Sequence, residues 1–284
     1  MTKATTTKPM VIAPPPSLRG LGPLVIVDAE CPYFKDGRAS RTAFALPTSQ
    51  LQPAEYEAAM HIGMRRSGAL VYRPLCSQCR KCQPFRIDVE KFTASRSQRR
   101  VHKRCTGLFT IDVGRPVSDS EHLNLYARYQ AEQHGADGQT ADDESYERFL
   151  GESVTDTWEL TWRDREGSLA AVGIIDAVAS GLSTVYFYWD PVLHELSLGT
   201  YSALYEIDLC RRWGKRYYYL GYLVAGSKTM SYKASYAGGE VWDGTQWVAL
   251  GGRNLDDVSV RETLAAAEAG STEADARNFR CDSL

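Results

Sequence analysis

Apolar positions divide the chain into a front part of short mixed segments and a rear part of clean alternation. Leu24-Val25-Ile26-Val27 is a compact apolar run and reads as a strand leading to Cys31. Pro53 stands at a permitted first-turn position of a helix over Ala54 to Arg66. Gly68 is that helix's expected C-cap, which places Arg65 and Arg66 at a helix end. Val71 to Pro74 and Phe85 to Val89 read as strands on either side of a cysteine-rich knuckle. Ser95 to Cys105 is strongly basic; as a helix it sets Arg96, Arg100 and Lys103 on one face. Leu108 to Val113 reads as a strand, and Ser118 to Glu121 as a capping box that opens a helix ending near Gln133. Ala136 to Asp143 is a polar loop, followed by a short helix to Leu150.

The rear part is more regular. Thr157 to Trp162 alternates, Asp164-Arg165-Glu166-Gly167 turns, and Leu169 to Val178 and Ser183 to Trp189 complete an antiparallel meander. A helix over Leu198 to Trp213, a buried strand at Tyr217 to Leu220 and a helix over Lys228 to Tyr236 follow. Val241-Trp242 and Trp247-Val248 close a hairpin across Asp243-Gly244. The order βββ-α-β-α-β resembles the core of GNAT acyltransferases. The expected fold is therefore α+β: a GNAT-like acyltransferase core at 116–250 behind an N-terminal cysteine-containing basic subdomain at 21–115. Residues 1–20 are expected to be a disordered lead-in and 251–284 a helix or tail.

Composition narrows the class. With 43% hydrophobic and 24% charged residues in 284, the chain reads as soluble and globular. No apolar run approaches the roughly 20 residues of a membrane span. The first residues lack the apolar stretch of a secretory signal, so a cytoplasmic protein is expected. Seven cysteines is an odd number, and Cys76, Cys79 and Cys82 lie too close for a simple disulfide framework. Their C-x-x-C-x-x-C spacing turns thiolates toward a common point, as soft metals and iron–sulfur clusters require. Cys105, Cys210 and Cys281 read as bystanders, Cys210 at a helical core position. The net charge of −2 conceals an asymmetry, because His61 to Arg104 carries twelve Lys and Arg against Asp88 and Glu90. A local field of that sign suits a polyanion, and nucleic acid is the first candidate.

Several motifs in order resemble the bacterial aspartate/glutamate leucyltransferases, relatives of the arginyl-tRNA–protein transferases. The front signature is carried by Cys31-Pro32-Tyr33, Arg65-Arg66-Ser67-Gly68, Tyr72-Arg73-Pro74-Leu75-Cys76 with Cys79 and Cys82, and Ser95-Arg96-Ser97-Gln98-Arg99-Arg100. The rear signature is carried by Ser183 to Pro191, Leu198-Gly199-Thr200-Tyr201, Tyr219-Leu220-Gly221-Tyr222 and Met230-Ser231-Tyr232-Lys233-Ala234. The resemblance implies an aminoacyl-tRNA donor, a protein acceptor with N-terminal Asp or Glu, and a product marked for N-end-rule degradation. The bacterial branch implies Leu-tRNA; arginyl transfer from Arg-tRNA is the alternative. The wider family links an N-terminal cysteine quartet to metal or cluster binding. Cys31 with Cys76, Cys79 and Cys82 supplies four thiols for an iron–sulfur cluster or zinc, with bare reduced thiols as the other reading.

The donor ester is already activated, so direct attack needs no covalent intermediate and no cofactor. Asp190 is a candidate to hold the acceptor ammonium and take its proton. Tyr188 and Tyr222, at strand ends, are candidates to donate to the oxyanion or relay the proton, the alternative being aromatic core or rim. An acidic acceptor side chain calls for a guanidinium, from Arg65 or Arg66, with Lys228 and Lys233 behind them. Arg96, Arg99, Arg100, Lys103 and Arg104 suit the tRNA backbone, and Tyr201 the terminal adenosine. Two rival readings remain. A CoA-dependent N-acetyltransferase is poorly supported, because Leu196-Ser197-Leu198-Gly199-Thr200 supplies one glycine for a phosphate turn. A non-catalytic RNA-binding or redox-sensor protein leaves the tyrosine-rich rear motifs unexplained.

Overall fold

The computed structural model describes residues 10–14, 16–134 and 142–251. The first sheet is antiparallel. It is built from β1 (Met10–Ile12), β2 (Leu24–Glu30), β3 (Ala39–Ala45), β4 (Arg65–Ser67) and β5 (Leu70–Pro74) in the order β1-β2-β3-β5-β4. Helix α1 (Pro53–His61) lies between β3 and β4. Residues 10–12, expected in a disordered lead-in, pair with β2, and Leu18 and Leu21 after them are buried.

Helix α1 stops earlier than its pattern suggests. Gly63 adopts φ +87, and the Met64 amide bonds back to Ala59 O. The chain then straightens into β4, so Arg65 and Arg66 are strand residues and not a helix end. Gly68 caps no helix; with φ +57 it turns the β4–β5 hairpin. A Cβ there would lie 2.1 Å from Arg148 O, so the position accepts only glycine without displacement.

The second sheet holds β6 (Cys82–Asp88), β7 (Thr110–Gly114), β8 (Thr157–Arg163), β9 (Leu169–Ala177), β10 (Gly181–Trp189), β11 (Tyr217–Val224), β12 (Gly239–Trp242) and β13 (Trp247–Ala249). Their order is β13-β12-β6-β11-β10-β9-β8-β7. β6 comes from the front part of the chain yet runs between β11 and β12. The sequence boundary near residue 115 therefore does not separate the two sheets. Helices α2 (Arg96–Cys105), α3 (Ser120–His134), α4 (Asp143–Tyr146) and α5 (Leu198–Arg212) complete the frame. Ser95 and Gln98 form the reciprocal cap of α2, and Asp119 Oδ1 accepts the His122 amide at the start of α3. The helix expected over Lys228 to Tyr236 is only a 3₁₀ turn, Ser231–Ser235, because left-handed Gly226 and Gly238 bracket too short a span.

The main core gathers Phe85, Ile87, Trp162, Ile175, Ile207 and Leu223, all fully buried. A second cluster joins Tyr56, Met60 and Val71 to Val178 and Tyr219, and so ties the first sheet to the second. Cys105 and Cys210 are buried, while Cys281 and the tail from 252 lie outside the described residues. Among the described residues no helix is long and apolar enough to cross a membrane.

Candidate active site

The site originates at a fork between two parallel strands. β10 and β11 pair only over Gly181–Ser183 against Tyr217–Tyr219. Beyond that, β10 breaks register with β9 between Thr184 and Tyr186, and β11 keeps β6 as its partner. A bulge at a fork removes ladder partners and opens the sheet. The result is a cleft of about 670 Å³. Arg65, Lys233 and Tyr222 line it on one side, Glu206, Thr184 and Tyr218 line the fork, and Ser197 and Gly199 bring in the start of α5. Ser197 holds φ +60 without being glycine and makes no side-chain cap, a strained entry to a helix whose first turn opens on the cleft.

The two adjacent arginines have separate fates. Arg66 is consumed by the fold: Nε and Nη2 each donate to Asp176 at 2.7 Å, with both side chains wholly buried. Thr157 donates a further bond to Asp176 at 2.6 Å, and Arg66 Nη1 donates to Gly68 O at 3.1 Å. Arg66 is thus a structural ion pair between β4 and β9 and has no fork left for a substrate. Arg65 is 4% exposed and donates to Met64 O and weakly to Gly221 O. Its Nε has no hydrogen-bond partner among the described residues, and its guanidinium lies over the Tyr219 and Tyr222 rings. Buried guanidinium donors left open at a cleft are suited to an incoming carboxylate.

Lys233 shares that wall. Its Nζ donates to Tyr222 O at 2.8 Å, and it forms no ion pair among the described residues. Burial, with the Arg65 charge nearby, pulls its ammonium down to about 7. Lys228, by contrast, is exposed and is not among the residues lining the cleft.

The groups expected to carry the chemistry are engaged by the fold. Tyr188 is fully buried with its hydroxyl 2.7 Å from Tyr146 Oη, and burial raises its phenol far above the usual range. It packs in the cluster under α3 and does not line the cleft. Tyr222 lines the cleft, but its hydroxyl donates to Gly63 O at 2.6 Å and is desolvated. Asp190 accepts from Arg128 at 2.8 Å and from the Val192 amide, so it caps a turn at the surface. Tyr201 is also misplaced as a base platform: it is 8% exposed and its ring packs on Trp162 at 5.3 Å.

The basic surface is real but smaller than the charge tally suggests. Arg66 and Arg86 pair with Asp176 and Glu240, and Arg73 is buried. On α2, Arg96, Arg99, Arg100, Lys103 and Arg104 are exposed. Arg104 reaches Leu196 O and the Ser197 hydroxyl, so this cationic helix borders the cleft mouth.

Cys31, Cys76, Cys79 and Cys82 do converge, lining one pocket of about 60 Å³. Burial, then the neighbouring thiols, pushes Cys82 up to about 12. The donors are of the right kind, but among the described residues no group of three or more His, Cys, Asp or Glu could hold a metal ion. The thiols hang from both sheets, Cys31 just after β2 and Cys82 on β6, and Arg38, Arg73 and Arg80 share their pocket. As arranged they do not fit a metal or cluster, and no chemical step is routed through one.

The sequence reading missed Glu206, a carboxylate at the fork; its signal was an acid on the apolar face of α5, in register with Leu198 and Ser202.

The cleft at the strand fork is walled by a guanidinium whose Nε has no partner among the described residues and by a lysine lowered to about 7, groups suited to a carboxylate and to proton transfer. Residues 29–100 match the model of the arginine-tRNA-protein transferase N terminus, and residues 121–243 that of the C terminus. The chain is 39% identical to the aspartate/glutamate leucyltransferase of Nitrosococcus oceani, over 78% of this chain and 92% of that protein. It is 34% identical to that of Chromobacterium violaceum, over 78% and 93%. The chain belongs to the aspartate/glutamate leucyltransferase family. Among solved structures it is similar to FemX, at 9% identity and a TM-score of 0.42 over 74% of this chain and 84% of that one; a likeness so distant carries no argument about function.

Proposed function

We propose that this chain moves leucine from leucyl-tRNA to the α-amine of a protein beginning with Asp or Glu, in the cytoplasm, exposing a residue that marks the protein for degradation. The carrying observation is the cleft wall of Arg65 and Lys233, two cations without an acidic partner among the described residues, in a chain whose relatives are aspartate/glutamate leucyltransferases. Arg65 takes the acceptor's side-chain carboxylate. Lys233, held near neutrality, takes the proton of the acceptor ammonium, and the freed amine attacks the ester carbonyl. A C–N bond forms, the C–O bond to the tRNA ribose breaks, the attacking nitrogen's second proton goes to the ribose oxygen, which leaves as a hydroxyl, and Lys233 releases the first proton to solvent. The bulge at Val185 supplies backbone outside the ladder, the kind of donor an oxyanion needs. Helix α2 takes the tRNA phosphates beside the mouth, and α5 presents its first turn to the 3′ end. The strand fork with α5 crossing between β10 and β11 supports a GNAT-like core.

The test offers labelled Leu-tRNA or Arg-tRNA with peptides starting Asp, Glu, Lys or Ala. Label on Asp and Glu peptides from Leu-tRNA alone is the expected result. Label on Lys peptides, or from Arg-tRNA, overturns the assignment.

A further inference from the structure

Glu206 is the charged group in the cleft that the transfer chemistry above leaves unused. It projects from the middle of α5 and is 1% exposed. Ser202, one turn earlier, donates its hydroxyl to Oε1 at 2.7 Å, while Oε2 has no hydrogen-bond partner within 3.5 Å among the described residues. Among the described residues no cationic side chain pairs with it. A buried carboxylate without a cation is costly, and folds seldom keep one without use. Burial pushes this carboxyl up to about 7 against the pull of the Ser202, Tyr218 and Thr184 hydroxyls. Three tyrosines, Tyr218, Tyr232 and Tyr236, lie within reach of its charge, and the first two line the cleft with it.

A carboxylate with one open oxygen, set among aromatic rings at the floor of a cleft, is a receptor for a small organic cation. The wall bearing Arg65 and Lys233 repels such a group, so the cation belongs at the fork. An aminoacyl ester carries one: the free α-ammonium beside the reacting carbonyl.

We propose that Glu206, with Tyr218 and Tyr232, forms the subsite for the α-ammonium of the donor aminoacyl group, and that this subsite makes the cleft refuse donors whose α-nitrogen is acylated or absent. The proposal rests on the reading of the chain as an aminoacyl-tRNA transferase. It has a chemical consequence. A donor amine held as an ammonium against Glu206 is no nucleophile, so the carried residue does not attack a second ester. Only the acceptor amine, on the Lys233 side, is deprotonated. Both substrates carry an α-amine, and different side chains of one cleft give the two amines opposite protonation. Peptidyl- and formylated aminoacyl-tRNAs lack the cation and are excluded by the same contact. Ser202 is a positioning residue that fixes the carboxylate rotamer.

The experiment compares leucyl-tRNA with the same tRNA deaminated by nitrous acid, which replaces the α-ammonium by hydroxyl at nearly constant size. The acceptor is a peptide beginning with Asp. Wild-type protein is expected to favour the amino donor in kcat/KM by at least about tenfold, the scale of one charge-assisted hydrogen bond. Glu206→Gln is expected to bring that ratio close to one, and Ser202→Ala to lower it. An unchanged ratio in Glu206→Gln, or equal loss of both donors, assigns Glu206 to structure and overturns the subsite. Should Glu206→Gln fail to fold, calorimetry on wild-type protein decides: 3′-leucylamino-3′-deoxyadenosine must bind more tightly than its N-acetyl derivative, and equal affinities overturn the proposal. If wild-type protein transfers no leucine at all, the functional reading fails instead, and the calorimetric comparison still judges the subsite.

Discussion

Lys233→Met should stabilise the protein while abolishing transfer. The lysine is 5% exposed, and its ammonium falls from the ordinary 10.5 to about 7 because burial penalises the charge, with Arg65 adding repulsion. A folded-state value below the unfolded one means the unfolded chain binds more protons between those limits. The lysine therefore destabilises the fold fully below about pH 7, and the penalty is relieved as pH rises toward 10.5. At about 1.4 kcal/mol per unit, the penalty is roughly 4 kcal/mol at pH 7 and roughly 2 kcal/mol at pH 9. Methionine fills similar volume without charge and loses one hydrogen bond to Tyr222 O, worth about 1 kcal/mol. The net expectation is a gain of about 3 kcal/mol at pH 7 and about 1 kcal/mol at pH 9. Urea unfolding of both proteins at the two pH values reads this directly. In parallel, wild-type transfer should rise with pH through about 7 as the amine becomes neutral, then level off. A variant less stable than wild type at pH 7, or a gain independent of pH, would refute the reasoning that this lysine is a strained, functional group.

Arg66→Ala should lose about 3–5 kcal/mol of stability by leaving Asp176 buried and unpaired, whereas Arg65→Ala, which strands no buried carboxylate, should lose clearly less and abolish the preference for acidic acceptors. Denaturation and a peptide panel distinguish them, and equal destabilisation would return both to structure. Replacing Arg96, Arg100 and Lys103 together by Ala should flatten the slope of log K against log salt for tRNA binding by about 2 to 3, and an unchanged slope would move the footprint off α2. Asp190→Asn should alter kcat less than about threefold, since it removes only a surface ion pair with Arg128 and retains the turn cap; a hundredfold loss would restore Asp190 as the proton acceptor.

What the sequence settled was local in origin. The alternation of Thr157 to Trp162, the reciprocal cap at Ser95 and Gln98, and the Asp243-Gly244 turn each act over a few residues, so their elements lie close to where the pattern sets them. The family was legible too, because its motifs are runs of neighbours. Tertiary structure decided what each charged or phenolic group is free to do. Two consecutive arginines read alike until the strand places Asp176, 110 residues away, against Arg66 and leaves Arg65 facing the cleft. Tyr188 carries the right hydroxyl and Tyr201 the right ring, yet Tyr146 and Trp162 enclose them. Glu206 gave only a faint signal, because its meaning depends on the fork of β10 and β11 above it. Backbone propensity and capping are satisfied within a turn or two, whereas desolvation and ion pairing are set by whichever distant segments the fold brings near.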